Sequence, residues 1–308
     1  MADVTRMFQH TDGTNAGQFG RLEWGMVATV ALLWGSSFLW IAIGIESFAP
    51  GIVAWLRLVF GVAILSVLSR GRRMRIDRSD WPAIAVVGLI GNAGPALLFA
   101  LAEQRVESAV VGMITGATPI VTLVLAIAIG TRSLRRVHII GLALGFGGIV
   151  LMSAPNLTGE ASSVLGMSFV FMAIVAYSIN SVVLGPLQQK YGGVTVIKAA
   201  QMLGVVAMTP FGIEGLGESS FTWRSFGAVA ILGIFGTGIA RSMFANLIGR
   251  TGPARAQVVG YLVPVTAIVL GVAVLSETVS GWELSGLAIV LVGAFLTTRS
   301  AATPAPAR

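Results

Sequence analysis

The sequence contains no cysteine, two histidines and few charged residues. The lack of cysteine excludes disulfides, thiol nucleophiles and Cys-ligated metals. The histidines, His10 and His138, are far apart and predict neither a metal-binding pair nor a buried catalytic base. Charged residues make up only 11% of the 308 residues, against about 25% in soluble domains. Since 55% of the residues are hydrophobic and the mean hydropathy is +0.87, an ordinary soluble globular protein is excluded.

The apolar residues cluster in continuous runs near the ~20 residues that an α-helix needs to cross a ~30 Å hydrocarbon core. Continuous runs also argue against a transmembrane β-barrel, whose strands alternate apolar and polar residues. The fold class is therefore an all-α integral membrane protein with ten transmembrane helices. We predict them at roughly 24–45, 50–69, 81–101, 108–130, 137–153, 163–185, 194–213, 225–248, 254–275 and 281–298.

Two polar tails are predicted at the ends of this helical region. Residues 1–22 lack the apolar centre of a signal peptide, and residues 299–308 are rich in alanine and proline. Most of the 20 Lys and Arg residues fall on one side of the membrane if the N-terminus is cytoplasmic. The positive-inside rule then predicts a multi-pass protein of the cytoplasmic (inner or plasma) membrane with both termini cytoplasmic. The net charge of +7 thus indicates topology and contact with the lipid bilayer, and we expect no nucleic-acid partner.

An internal repeat divides the chain into two halves. An offset of 145 residues aligns AVVGMITGATPIVTLVLAIAIG with ARAQVVGYLVPVTAIVLGVAVL without a gap, and it pairs Pro119 with Pro264. Because each half holds an odd number of helices, the second half enters the membrane from the opposite side. We predict two inverted five-helix repeats, 23–153 and 154–298, around a central cavity with a substrate site near the midplane. This arrangement is typical of secondary transporters.

Three segments resemble the EamA-type members of the drug/metabolite transporter superfamily. They are LLWGSSFLWIAIG, AWLRLVFG and YLVPVTAIVLGVAVLSETVSGWELSGLAIVLVGAFL, and the resemblance runs from Leu22 to Thr298. It implies ten helices, cytoplasmic termini and a cavity lined mainly by helices one, three, four, six, eight and nine. It also implies movement of small metabolites, often amino-acid export, without ATP hydrolysis. The family often has an acidic residue after both the fourth and the ninth helix, whereas here Glu277 corresponds to Arg132.

Two arginines, Arg57 and Arg241, lie inside predicted spans. A charge near a helix centre costs about 2.5–3.5 kcal/mol on insertion scales, so each needs a partner or a water-filled cavity. Arg57 can attract a substrate carboxylate, or it can be architectural and bond carbonyls or hydroxyls of a neighbouring helix. Arg241 aligns with Ala96 in the other half, so its charge is asymmetric. It can contact substrate or act in gating, or it can form an ion pair towards the cytoplasm.

The other candidates are neutral polar residues and prolines. The predicted substrate-binding set is Trp34, Ser37, Asn92, Tyr177, Asn180, Arg241, Gln257 and Tyr261. Each neutral member has the alternative role of bonding its own helix or joining two helices. The predicted structural or gating set is Arg57, Pro119, Pro264 and Glu277. The prolines kink their helices. The kinks either let the helices bend during alternating access or are static and shape the packing.

We predict a secondary transporter that exports amino acids or related zwitterionic or anionic compounds by alternating access. A multidrug exporter of cationic compounds is the alternative, although such a carrier normally uses a buried acidic residue. Neither a HExxH run nor paired deep carboxylates are present, so we predict no enzyme, and no cofactor or metal. Because no acidic residue lies deep in a predicted span, we expect either a facilitator or a carrier without a conventional carboxylate relay. The oligomeric state stays open, with a monomer sufficient.

Overall fold

The computed structural model describes residues 14, 19–70, 75–128, 136–157 and 161–299. All regular structure in these ranges is helical. Seven helices are long and apolar enough to cross a membrane, and three further apolar helices are shorter. We number the helices α1 Arg21–Ile45, α2 Pro50–Leu68, α3 Arg78–Glu103, α4 Ser108–Ile114 with Thr118–Ala128, α5 Arg136–Leu157, α6 Ala161–Tyr191, α7 Gly193–Glu214, α8 Trp223–Thr251, α9 Val259–Leu275 and α10 Gly281–Arg299.

Each helix overlaps one predicted segment, and the differences lie at the ends. α6 continues six residues beyond its predicted end to Tyr191, and α3 continues to Glu103. The predicted tails lie largely outside the described residues, as does Arg132, the counterpart of Glu277. The extension of α3 matters for the site because it brings an acidic residue into the helical bundle.

Two helices are interrupted by π-helical segments. The segment in α3 is Leu89–Ala93, directly before Gly94 and Pro95, where the sequence predicts an interrupted helix. The segment in α8 is Leu232–Ile239, which includes three glycines. A π turn widens the helix and disturbs the regular i to i+4 ladder, so main-chain carbonyls become available to side chains. These carbonyls organise the centre of the bundle.

The repeat-related prolines both lie where α4 contacts α9. Pro119 follows the 3-10 turn Thr115–Ala117, and the hydroxyl of Thr118 donates to the carbonyl of Thr115 at 2.6 Å. In a regular helix the N–H of residue 119 would donate to this carbonyl, but Pro119 has no N–H. Pro264 packs against α4, where a Cβ on Gly116 would lie 3.1 Å from its Cγ. The prolines therefore shape this helix contact, and a role in flexing stays a prediction.

Candidate functional site

A cavity of about 80 Å³ lies at the centre of the helical bundle. It has room for several water molecules, since one water needs about 10–15 Å³. Most of its lining residues come from the six helices that the family resemblance implies, which are α1, α3, α4, α6, α8 and α9 with the turn before it. α2 and α7 add one residue each. No Asp or Glu is among its lining residues in the described part of the chain, which are Trp34, Ser37, Phe38, Ile41, Arg57, Phe99, Thr115, Thr118, Tyr177, Asn180, Ser181, Leu184, Ile197, Arg241, Phe244, Gln257, Val259, Gly260 and Val263.

Most of the predicted substrate-binding residues lie at this cavity. The six that line it are Trp34, Ser37, Tyr177, Asn180, Arg241 and Gln257, and Arg57 from the structural set joins them. Asn92 and Tyr261 do not line it. The amide of Asn92 donates to the carbonyl of Val87 at 2.7 Å, and the hydroxyl of Tyr261 donates to the carbonyl of Ala294 in α10 at 2.8 Å. The structure thus brings together residues from four helices and from the turn before α9, and their contact with a substrate stays a prediction.

Arg241 is buried and bonds groups of the first half of the chain and of α6. Its Nη1 donates to the carbonyl of Gly91 at 2.7 Å, within the π segment of α3. Its Nη2 donates to the hydroxyl of Tyr177 at 2.7 Å, and the guanidinium lies 4.9 Å from the centre of that ring. The Nε is buried without a hydrogen-bond partner. Arg241 therefore has a structural function and still holds one unused donor beside the cavity.

Arg57 has the same dual character. Its side chain is 4% exposed, and its Nε donates to the hydroxyl of Thr237 in α8 at 3.0 Å. This contact with a neighbouring helix is what the architectural interpretation predicts. The Nη1, however, is buried and has no hydrogen-bond partner. A buried guanidinium with an unused donor can bind a carboxylate strongly, because charge-assisted bonds are about twice as strong as neutral ones.

Each of the two π segments accepts a hydrogen bond from a side chain in the other half of the chain. Trp34 in α1 donates from Nε1 to the carbonyl of Gly236 at 3.1 Å, and Arg241 in α8 donates to Gly91. Gly91 and Gly236 are 145 positions apart, the offset of the sequence repeat. Gln201 adds a bond of 2.6 Å to the carbonyl of Thr237. The sequence analysis did not predict a role for Gln201. The repeat offset that pairs Gly91 with Gly236 is the feature of the sequence that points to these two carbonyl acceptors.

Aromatic rings form one wall of the cavity. Trp34 and Tyr177 stack with their centres 6.5 Å apart, and Trp34 also contacts Phe244 at 4.7 Å. Phe99 contacts Tyr177 at 5.7 Å and Phe38 at 5.6 Å. The wall therefore offers flat apolar surfaces next to the two guanidinium groups.

The cavity lining also includes the amide groups of Asn180 and Gln257. Gln257 donates to the hydroxyl of Ser181 at 3.1 Å, and that hydroxyl donates to the carbonyl of Tyr177 at 2.9 Å. The Oδ1 of Asn180 is buried and accepts no hydrogen bond. An amide oxygen in this state can accept a bond from a hydroxyl or an ammonium group.

Glu103 is a buried acidic residue that sequence reasoning missed. Both carboxylate oxygens are buried and have no hydrogen-bond partner. We predicted that the third span ends near residue 101, but α3 continues to Glu103, which is its last residue. The expectation that no acidic residue lies deep in a span stays a prediction. Glu103 is absent from the cavity lining, but Phe99, four residues earlier, does line the cavity. Residues four apart share a helix face, so the carboxylate lies one turn beyond the cavity.

Glu277 caps the first turn of α4. Its two carboxylate oxygens accept the backbone N–H groups of Ser108 and Ala109, each at 2.8 Å. A helix start has unpaired N–H groups and a partial positive charge, both of which favour a carboxylate. Glu277 therefore joins the segment after α9 to α4. In the second repeat the position equivalent to Ser108 is Pro253, 145 residues later. Because proline has no N–H, Pro253 cannot donate the bond that Ser108 donates to Glu277.

We expect Glu277→Gln to destabilise the protein by about 1.5–3 kcal/mol, since the glutamine amide can accept only one of the two bonds and carries no charge. Thermal unfolding in detergent measures this loss. Glu218→Gln, at an exposed position without a cap to lose, is the control. Equal unfolding temperatures for both variants and the wild type would contradict the capping role.

Ion pairs join the ends of several helices. Arg250 in α8 bonds the buried carboxylate of Glu23 in α1 at 2.6 Å. Lys190 pairs with Asp77 at 2.6 Å, and the hydrogen bond from Lys190, followed by that from Tyr191, lowers the pKa of Asp77. The first pair joins a half-exposed arginine to a buried carboxylate, and the second pair is exposed. Within the described ranges, no group of three or more His, Asp or Glu side chains could hold a metal ion.

Comparison with known proteins identifies the family. The EamA-like transporter family matches residues 23–154 and 164–299. The uncharacterized inner membrane transporter YedA of Escherichia coli strain K12 is 28% identical over 286 residues, which cover 89% of this chain and 90% of YedA. A probable amino-acid metabolite efflux pump of Salmonella typhimurium is 20% identical over 280 residues, with 87% and 91% covered.

A solved protein structure shares the fold, with a TM-score of 0.64 at 18% identity over 91% of this chain and 97% of that one. The names of the relatives indicate a multi-pass inner membrane transporter rather than an enzyme. The family match extends over both halves of the chain, including every helix that lines the cavity. The chain belongs to the EamA-like transporter family.

Proposed function

We propose that this protein is a secondary transporter that exports amino acids or related carboxylate-bearing metabolites across the cytoplasmic membrane. One observation carries the proposal: two buried guanidinium groups, Arg57 and Arg241, line the cavity, and each has a buried donor without a partner. The lining residues include no carboxylate that would neutralise them. A substrate carboxylate supplies the missing acceptor and the missing negative charge.

The neutral lining residues complete this site. Asn180 offers an unused amide oxygen to the substrate amine or hydroxyl, and Gln257 and Ser37 add polar groups on neighbouring helices. Trp34 and Tyr177 flank an apolar substrate side chain. Asn92 and Tyr261, which bond the helices around them, contribute to the shape of the site rather than to contact with substrate.

Alternating access follows from two inverted repeats of five helices each, residues 23–153 and 154–298. In this arrangement all ten helices cross the membrane and both termini are cytoplasmic. The bonds from Trp34 to Gly236 and from Arg241 to Gly91 support it, since the two acceptor glycines are equivalent positions of the two halves and each bond comes from the other half. Pro119 and Pro264 provide matching flexible points in α4 and α9.

The direction of transport is proposed from one relative. The Salmonella typhimurium protein is named a probable amino-acid metabolite efflux pump. We therefore propose export rather than uptake, with a single chain as the functional unit.

Export of lipophilic cations is the second candidate, because aromatic faces attract cations. The face of Tyr177, however, is already occupied by the guanidinium of Arg241. Two fixed positive charges at the cavity also repel a cationic substrate. The carboxylate proposal is therefore favoured.

Transport into proteoliposomes tests the proposal. Labelled neutral amino acids, organic anions and lipophilic cations are offered to the wild-type protein and to Arg224→Ala, an exposed arginine paired with Glu46 at 3.0 Å. We expect the amino acids or anions to move at equal rates with both proteins. Movement of cations alone would contradict the proposal.

A further inference from the structure

Two groups of opposite charge, one at the cavity and one a helical turn beyond it, have buried polar atoms without hydrogen-bond partners. Glu103 has two carboxylate oxygens without a hydrogen bond, and Arg57 has an unused Nη1. The two charges interact electrostatically, yet no ion pair within 4.0 Å joins them. Buried charges are costly unless they are paired. A third group with a negative end and a positive end would satisfy both.

The other charged groups around Glu103 are already engaged. Glu277, the nearest of them in electrostatic effect, is held by the start of α4. Arg105, two residues after Glu103, donates to Leu101 and lies over the ring of Phe169. The elements packed on this part of α3 present further titratable groups. Glu46 is paired with Arg224, and Tyr177 is bonded to Arg241. Glu107, Glu214 and Glu218 are exposed.

Glu107 differs from Glu103 in a way that makes it a suitable control. It is exposed and lies between α3 and α4, outside the helices. Partial burial, followed by the charges of Glu277 and Glu283, raises the pKa of Glu107. Glu107 is open to solvent, whereas both carboxylate oxygens of Glu103 are buried without a hydrogen-bond partner.

We propose that Arg57 and Glu103 bind the two ends of a zwitterionic amino acid, and that a proton replaces the ammonium group on Glu103 when the carrier is empty. This inference rests on the proposed function and names its substrate class. An α-amino acid carries its carboxylate and its ammonium on one carbon, so it spans two side chains that are too far apart for a direct ion pair. Phe99, which lies between Glu103 and the cavity, moves aside to admit the ammonium group.

Competition for one carboxylate has a direct consequence for energy coupling. The ammonium group and the proton exclude each other on Glu103, so each substrate released leaves a site that binds one proton from water. The carrier then exchanges a substrate for a proton. Across a membrane with an inward proton gradient, this exchange drives export.

Counterflow of alanine and propionate tests the inference, because propionate has the carboxylate but no ammonium group. For the wild type we expect the half-saturating concentration of alanine to rise by up to about tenfold per unit fall in pH once the proton competes. We expect that of propionate to rise less. In Glu103→Gln the pH dependence of alanine binding disappears and the preference for alanine over propionate falls about tenfold, the loss of one charge-assisted bond.

Two further proteins and one further measurement keep the test decisive. Glu107→Gln should behave as wild type, and Glu103→Asp should retain the pH dependence because it retains the acid. A pH-indicator dye should detect proton release when alanine, but not propionate, binds to the wild-type protein in detergent. This last result does not depend on the folding of any variant.

The outcomes separate this inference from the proposed function. If the wild type moves amino acids but Glu103→Gln retains its pH dependence and its preference for alanine, the inference is wrong and the proposed function stands. Absence of proton release on alanine binding to the wild type would overturn it equally. If the wild type moves no carboxylate at all, the proposed function fails first.

Discussion

Arg241→Ala is expected to reduce amino-acid transport about 100-fold, because it removes a charged partner of the substrate carboxylate from a buried site. The same change leaves the carbonyl of Gly91 buried without its donor in the π segment of α3. We expect that loss to destabilise the protein by about 1–3 kcal/mol. Initial rates in proteoliposomes and thermal unfolding in detergent measure the two effects separately.

Arg241→Lys is the matched variant for this prediction. A lysine keeps the charge but cannot donate in a fixed fork to both Gly91 and Tyr177. We expect intermediate transport and intermediate stability. Normal transport by Arg241→Ala, at any stability, would show that Arg241 serves packing only.

Arg57→Met is expected to reduce transport about 100-fold, by the same loss of a charge-assisted bond, while stability changes little. Methionine is of similar length and apolar, so it removes a buried cation that costs about 2.5–3.5 kcal/mol to place in a membrane. The hydroxyl of Thr237 loses one donor but can donate to its own helix. Recognition of substrate therefore predicts lost transport in a protein that still unfolds at or above the wild-type temperature.

The architectural interpretation of Arg57 expects the reverse. If the bond to Thr237 is the main function of Arg57, Arg57→Met should unfold at a clearly lower temperature and transport at the wild-type rate when folded. Arg57→Lys separates the importance of charge from that of geometry, because lysine retains the charge without the planar donor set. The pair of measurements therefore decides between the two interpretations.

The positions of the helices could be predicted because the thickness of the membrane sets the length of each apolar run, and because proline is favoured in the first turn of a helix. Pro50 does lie in the first turn of α2, and the interruption predicted at Gly94 and Pro95 does adjoin a π segment. Arg57 and Arg241 could be predicted to need partners because a charge in a span is costly. These predictions depend on local chemistry and on length.

The orientation of single side chains could not be predicted where the helix departs from 3.6 residues per turn. Asn92 lies inside the π segment of α3, and its amide bonds the carbonyl five residues earlier rather than the cavity. Gln257 and Tyr261 are four residues apart within the predicted ninth span, 254–275, but α9 begins at Val259, after a turn at Gln257. The regular spacing that would align them is therefore absent.

Carbonyl acceptors and buried helix ends were also beyond sequence reasoning. The partner of Arg241 is the backbone of Gly91, which no side-chain motif reveals. The predicted third span ends at residue 101 and leaves Glu103 outside it, whereas α3 ends at Glu103. Tertiary packing decides both cases.

Competition between an amino acid and its methyl ester, which keeps the ammonium group but has no carboxylate, tests the central claim, that two buried guanidinium groups recognise a substrate carboxylate. Counterflow of a labelled neutral amino acid is measured in wild-type proteoliposomes with the unlabelled amino acid or its methyl ester as competitor. We expect the amino acid to compete fully and the ester, which has no carboxylate, to require at least about tenfold more for the same inhibition. Equal competition by the ester would contradict carboxylate recognition by Arg57 and Arg241.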